Sequence, residues 1–381
     1  MTKPVKLSNK AFVEPFGSLR DPRKEGMCDH LLLDILVIAI VAVVCGADGW
    51  DEIHAFGVDK IAFLQTLLTL PNGIPSVSTF QRVFARIHPK HFEASFRKWT
   101  AHLVDHSKGR LVALDGKSVR GVAKRSLSGD GLHLVHAWAA DNRLLLGQFA
   151  TDVKSNEITA LPELIKMLDL EGAVVTIDAM GCQTEIVKAI LEGKADYILG
   201  VKANQPALHQ IVKDTFAKAA VGDPSVPTAT AVDDTQGHGR IERRRITATP
   251  APSLPELARW EGLASFIQVE SERHTADKVS HEVRYYIASL PPHSASLFGA
   301  KIRGHWSVEN PLHWQLDVAF REDACMVSAG HGAENLSLLR KIALTMITRD
   351  KTRKLGIAAH RKRAGWNDDR LLHVLVHGII G

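Results

Sequence analysis

Three acidic residues stand in settings that suit metal chemistry. Asp115 closes the apolar run Val112-Ala-Leu-Asp115-Gly-Lys117, Asp178 closes Val174-Val-Thr-Ile-Asp178-Ala-Met180, and Glu309 lies in His305-Trp-Ser-Val-Glu309-Asn310. A strand that ends in aspartate holds its carboxylate at the carboxyl edge of a sheet. Two such strands side by side offer hard oxygen ligands to a pair of divalent cations. The third acid then has to come from a helix. The interval between Asp115 and Asp178 has room for two further strands and a helix, and that between Asp178 and Glu309 is about twice as long.

Each acid also has an ordinary explanation. Asp-Gly is a common turn dipeptide, which would account for Asp115. Asp178 could end a strand and start the next helix. At 3.6 residues per turn Glu309 falls on the side of Trp306, Leu312 and Leu316, so its carboxylate should point toward apolar surroundings. A buried carboxylate needs compensation, by metal or by an ion pair to His305 or His313. The two histidines do not make a zinc site with Glu309, because residues eight apart on a helix are about 12 Å apart along its axis. Asp317 is the nearest rival for the third acid. Pro311 requires either that the helix start near Ser307 or that it kink.

The elements that must position these residues are legible in the spacing of apolar side chains. Residues 28–108 show helical periodicity, and the apolar run from Ile35 to Cys45 is too short for a membrane span and reads as a buried helix. Ser76 or Ser78 can cap a helix carrying Thr79, Gln81, Arg82 and Arg86, a pattern that fits the second helix of a helix-turn-helix as well as a plain packing helix. Residues 110–115, 132–140 and 143–151 read as an antiparallel meander, followed by helix 157–168, strand 173–178, helix 184–192 and strand 195–201. The order β-β-β-α-β-α-β is that of a ribonuclease-H-like mixed sheet with flanking helices, which sets Asp115 and Asp178 on neighbouring strands. Residues 204–293 form a β-rich insertion with strands expected at 239–249, 265–272 and 283–290. Helices at about 294 onward and 333–348 return to the core. The expected units are therefore an all-helical, DNA-binding 1–108, a catalytic core of 109–203 plus 294–350, the insertion 204–293, and a basic segment 351–381.

With 381 residues, 45% of them hydrophobic, the chain can bury more than one core. Its net charge of +5 is modest, but Arg340 to Arg363 holds nine Lys or Arg against one acid, Asp350. Such a tract favours polyanions or forms a solvated surface. Lys117, Arg120, Lys124 and Arg125 follow the first aspartate, Lys202 follows the last core strand, and Arg240, Arg243, Arg244 and Arg245 stud an insertion strand, all suited to phosphodiester contacts. Four widely spaced cysteines without a CxxC pair, and no secretory leader before them, fit reduced thiols in a cytoplasm.

These residues resemble the DDE transposases of bacterial insertion sequences, in the branch of H-repeat-associated proteins. The matching segments are Asp21-Pro-Arg23, Ala113-Leu-Asp-Gly-Lys117, Ser155-Asn-Glu-Ile158, Ile177-Asp-Ala-Met-Gly181, Lys202-Ala-Asn-Gln205, Gly237-His-Gly-Arg-Ile-Glu242 and His305-Trp-Ser-Val-Glu-Asn-Pro-Leu-His-Trp314 with Leu316-Asp-Val-Ala-Phe-Arg-Glu-Asp323. The resemblance implies that Asp115, Asp178 and Glu309 are the catalytic acids and hold two Mg²⁺ ions, with Mn²⁺ as substitute. It implies cleavage and strand transfer of double-stranded DNA at element ends and target, by a homo-oligomer assembled on that DNA. A structure-selective nuclease on the same core and a DNA-binding protein that has lost catalysis are the alternatives. One signature departs: where many of these transposases carry Tyr, Arg, Glu and Lys, this chain has Ile302, His305, Glu309 and Leu316. Lys117, Arg120, Lys202, Arg240, His305 and Arg82 are the candidate DNA contacts, with Arg303 or Lys301 as further substitutes for the missing arginine.

Overall fold

The computed structural model describes residues 10–24, 26, 28–103, 108–123, 132–151, 157–237, 240–275, 278–292, 294–352 and 354–380. Lys124, Arg125, Ser155, Asn156, His238 and Gly239 lie outside the described residues, as does the side chain of Arg240. The helical leader comprises α1 (Lys10–Gly17), α2 (Leu32–Val44), α3 (Trp50–Asp59), α4 (Ile61–Leu67), α5 (Val77–Arg86) and α6 (Pro89–Ala101). The chain then runs β1 (Leu111–Val119), α7 (Arg120–Ala123), β2 (Leu132–Ala139), β3 (Leu144–Thr151), α8 (Glu157–Lys166), β4 (Val174–Ile177), α9 (Thr184–Glu192), β5 (Asp196–Val201) and α10 (Pro206–Ala220). Strands β6 (Ala229–Gly237), β7 (Arg240–Pro250), β8 (Ser265–His274) and β9 (Val279–Ala288) precede α11 (Ala295–His305), α12 (Gln315–Phe320), α13 (Gly332–Arg349), α14 (Ile357–Trp366) and α15 (Asp368–Ile380).

All nine strands belong to one sheet in the order β3-β2-β1-β4-β5-β9-β8-β7-β6. The first three pair antiparallel, and β1, β4 and β5 run parallel through the crossovers α8 and α9. The chain thus has the ribonuclease-H-like α/β fold expected from the element order. The insertion is not a separate sheet: β9 pairs antiparallel with β5, so the insertion strands extend the core by edge pairing. Strand β6, whose Ala, Asp and Thr residues have weak or mixed strand preference, forms the far edge.

Alternation along the strands divides the interior. Val112 and Leu114 face a core shared with α8, α9 and α10, whereas Ala113, Leu134, Trp138 and Leu145 face one shared with both ends of the chain. On that second face α2 and α13 are buried nearly all round, and Leu371, Val374 and Leu375 of α15 join them. Each large apolar side chain buried there contributes roughly 1.5–3 kcal/mol. The C-terminal segment is therefore part of the helical body. Within the basic tract, Arg340, Lys341 and Arg361 are interior, with Arg361 donating to the carbonyls of Val43, Ala47 and Ala319 and pairing with Asp48. Three of the tract's nine basic residues are thus structural.

Helix α5 starts at Ser76, whose hydroxyl accepts from the Thr79 amide at 3.3 Å. Residues 68–76 separate it from α4, longer than the three- or four-residue turn of a helix-turn-helix. Its apolar side is held by Phe84 stacked on Trp50 and by Asn335, which donates to the carbonyls of Phe84 and Ile87. Ser78, Gln81, Arg82 and Arg86 remain exposed on the outer side.

Candidate active site

Strand β1 does not end at Asp115. Its pairing with β4 stops at Leu114↔Ile177, while its pairing with β2 continues through Asp115↔His136 to Val119↔Leu132. Asp115 is accordingly a mid-strand residue placed where β1 outruns its parallel neighbour, and the turn reading of Asp-Gly is overturned. Gly116 instead leaves room for the Glu157 carboxyl and the His133 ring, whose ends occupy the space a Cβ would take. Asp178 follows β4 directly and accepts from the Met180 amide at 3.0 Å, capping a short 3₁₀ turn over Ala179–Gly181. That turn is tied down by Asn204, which donates to the Ala179 carbonyl at 2.6 Å, while Gln205 donates to the Cys182 carbonyl at 2.9 Å.

Glu309 opens a π-helical turn, Glu309–Trp314, between α11 and α12, closed by the His313 amide on the Val308 carbonyl at 3.1 Å. The wider turn accommodates Pro311 and changes the angular spacing from that of an α-helix. As a result Leu312 and Leu316 are fully buried while Glu309 is exposed, contrary to the buried position read from 3.6-residue spacing. The histidines have other partners: His305 Nδ1 lies 3.0 Å from Thr176 Oγ1, and His313 Nε2 lies 3.0 Å from His136 Nδ1.

Asp115, Asp178 and Glu309 nevertheless line one cavity of about 420 Å³, with Lys202, His305, Trp306, Arg284 and Tyr286. Burial pushes the Asp115 carboxyl up to about 7, and Glu157, Asp178 and Glu309 push in the same direction, against a lowering by the Gly116 amide. Its Oδ2 is 3.6 Å from His313 Nδ1, but burial drives that imidazole down to about 3, so the ring faces Asp115 uncharged near neutral pH. Among the described residues no three His, Cys, Asp or Glu side chains are gathered tightly enough to hold an ion as they stand. The donor set still fits a hard divalent cation: it is oxygen-only, converges from three elements on one cavity, and carries mutual repulsion that a cation would relieve.

The candidate DNA contacts fall into two groups. Arg82, Arg120 and Lys202 are exposed, Lys202 at the cavity itself. Lys117, by contrast, is 7% exposed, and its Nζ lies 2.6 Å from Asp317, 3.2 Å from Glu322 and 3.5 Å from Asp323. Its ammonium is committed to the interior and is not available to phosphate; Asp317, the rival third acid, is committed with it. His305 is driven by burial to about 4 and is neutral near pH 7, so it does not replace an arginine's charge. Lys301 donates to the Gly109 carbonyl at 2.5 Å, and Arg303, still exposed, pairs with Asp233 at 3.1 Å. The Glu157 approach, the His136–His313 pair and the Asn204–Gln205 brace were not assigned from sequence; only the matching segments that contain Glu157, Asn204, Gln205 and His313 hinted at them.

The sheet order and the acids at the β1–β4 edge mark a ribonuclease-H-like protein with an acidic site. The chain belongs to the DDE transposase family: the model described as "Transposase DDE domain" matches residues 106–346, and that described as "DDE_Tnp_1-associated" matches residues 13–100. It is 35% identical over 374 residues to "Putative transposase YncI" of Escherichia coli O157:H7, covering 97% of this chain and 95% of the relative. It is 34% identical over 372 residues to "H repeat-associated putative transposase YhhI" of Escherichia coli K12, covering 96% and 98%. A solved piggyBac transposase synaptic complex with hairpin DNA aligns at TM-score 0.40 and 10% identity over 97% of this chain and 76% of that one, too distant to bear on the site. No helix among the described residues is long and apolar enough to cross a membrane.

Proposed function

We propose that this chain cleaves DNA at the ends of an insertion sequence and joins those ends to target DNA, using Asp115, Asp178 and Glu309 as the ligands of two Mg²⁺ ions, replaceable by Mn²⁺. The observation that carries the reading is the convergence of these acids, from β1, the end of β4 and the π-helical turn, on one cavity in which Asp115 is raised to about 7. Divalent ions bound there would supply activation of water or a DNA 3′-hydroxyl and stabilisation of the leaving oxygen. The protein's own contribution is orientation. Gly116 lets Glu157 close on the strand beside Asp115, Asn204 and Gln205 fix the Asp178 turn, and Lys202 offers its charge to a phosphate at the cavity mouth. The imidazole of His305, held on Thr176, fills the wall without adding charge.

Exposed Arg82 on α5 and Arg120 at α7 support double-stranded DNA as the partner, with the helical leader engaging the terminal repeats and a homo-oligomer holding paired ends. The test is cleavage and plasmid joining of element-end DNA by the parent chain and by Asp115→Asn, Asp178→Asn and Glu309→Gln. Each substitution should lower the cleavage rate at least about 100-fold with binding retained. Full metal-dependent cleavage by any of them removes that residue from the site.

A further inference from the structure

Glu309 poses a positioning problem. Among the described residues its carboxylate has no hydrogen-bond or ion-pair partner, and it sits exposed on a π-helical turn. Asp115 and Asp178 are fixed through strand pairing and a capped turn; the Glu309 segment is seated by buried Val308, Leu312 and Leu316 and by His313 against His136, but the Glu309 carboxylate has no tether of its own. A charged tether lies just beyond it. Asp317 is on α12, which continues directly from the π-helical turn, and Glu322 and Asp323 follow on the next short turn. All three carboxylates close on Lys117, which leaves β1 on the same face as Asp115 two residues earlier. Glu322 is anchored in turn to α13, where Ser337 donates to it at 2.6 Å and Lys341 lies 3.8 Å away.

We propose that Lys117 and Asp317 are positioning residues: a buried ion-paired strut that locks the Glu309-bearing segment onto the strand carrying Asp115, so that the third acid is presented to the cation site. This rests on the reading of the three acids as a divalent-ion site. The alternative, a salt bridge that serves stability alone, makes an opposite prediction about cation binding. Lys117 is a positive charge beside an acidic cavity, so by Coulomb's law alone its removal favours cation uptake. A strut predicts the reverse, because losing it frees Glu309 from its register with Asp115.

The experiment is Mn²⁺ uptake by the full-length chain, followed by the electron paramagnetic resonance of free Mn²⁺, with a thermal melt on each sample. Lys117→Met is expected to weaken uptake about 10-fold, the scale of losing a group that orients a ligand. Lys117→Arg, which keeps charge and reach, restores it. A stability-only role would lower the melting temperature and leave the folded fraction's Mn²⁺ affinity unchanged or higher, and that result overturns the strut. Should Lys117→Met not fold, Lys117→Gln, which keeps a polar end inside the cluster, carries the same test: weaker uptake supports the strut, and uptake equal to or tighter than the parent's overturns it. Asp115→Asn separates the two levels. If the parent takes up no Mn²⁺ in an Asp115-dependent way, the site reading and the strut fall together; Asp115-dependent uptake with Lys117→Met binding as tightly as the parent sinks the strut alone.

Discussion

Asp178 and Glu309 line an open cavity with Asp115 and, together with Glu157, raise its carboxyl, whereas Asp317, Glu322 and Asp323 enclose Lys117, and Lys341 approaches Glu322 from behind. The two groups adjoin the same face of β1, at Asp115 and at Lys117, and have the same chemistry, yet their electrostatics are opposite. Burial and neighbouring acids raise Asp115 to about 7; Glu322 is also opposed by burial, but Lys341, Lys117, Arg340 and the Ser337 hydroxyl hold it down at about 2. Where the fold needs carboxylates for itself it provides counter-charges from its own side chains. Where it leaves them repelling beside a cavity, the charge is open to compensation from outside, as the proposed cation site requires.

The largest effect expected from this contrast is at the compensated cluster. Lys341→Met strands a fully buried Glu322 with one cation fewer and should cost about 3–5 kcal/mol in urea unfolding; a loss below about 1 kcal/mol would erase the distinction between the clusters. Glu322 is depressed in the folded state, so its contribution is complete above its ordinary 4.5 and is lost as pH falls toward about 2. Glu322→Gln should flatten that acid limb.

At the uncompensated cluster the signs invert. Mn²⁺ should stabilise the parent chain by about 2.7 kcal/mol when present at 100 times its dissociation constant. That gain should be largest above about 7, where Asp115 is ionised, and fade toward 3.8. A shift in melting temperature independent of pH would count against Asp115 as ligand. Without divalent ions, Asp115→Asn should stabilise the fold. The folded carboxyl titrates above its ordinary value, so the penalty begins above 3.8 and is complete above about 7, with an upper bound on the order of 4 kcal/mol. Melting curves in which the variant is no more stable than the parent at high pH would contradict the repulsion argument.

The smallest effect contrasts basic residues rather than acids. Arg82 is exposed where Lys117 is enclosed, so Arg82→Ala should weaken binding to element ends severalfold and reduce the salt slope by about 1. Unchanged affinity and slope would remove α5 from the DNA-binding surface.

Much of the fold was legible because local patterns and neighbouring strands carry it. The meander and the two crossovers follow from alternation and helical spacing, and parallel pairing of β1 with β4 then puts Asp115 beside Asp178. What sequence did not reveal depends on distant partners. Lys117 reads as surface charge until Asp317 and Glu322, some two hundred residues on, are seen to close over it. Arg340, Lys341 and Arg361 read as a polyanion tract because the carbonyls, hydroxyls and acids that bury them belong to other segments. Glu309 was placed on a buried face because a regular α-helix was assumed, and Pro311 signalled only that regularity would fail, not that a π-helical turn would replace it. Strand β6 was missed because an edge strand with Asp233, Asp234 and small residues needs no strongly apolar face.

The most direct measurement is anomalous diffraction from crystals of the parent chain soaked in Mn²⁺. Manganese peaks in the cavity among Asp115, Asp178 and Glu309, lost in Glu309→Gln, are the predicted result. Bound manganese at the Asp317–Glu322–Asp323 cluster instead, or an Asp115 cavity that stays free of manganese at saturating ion, would contradict it.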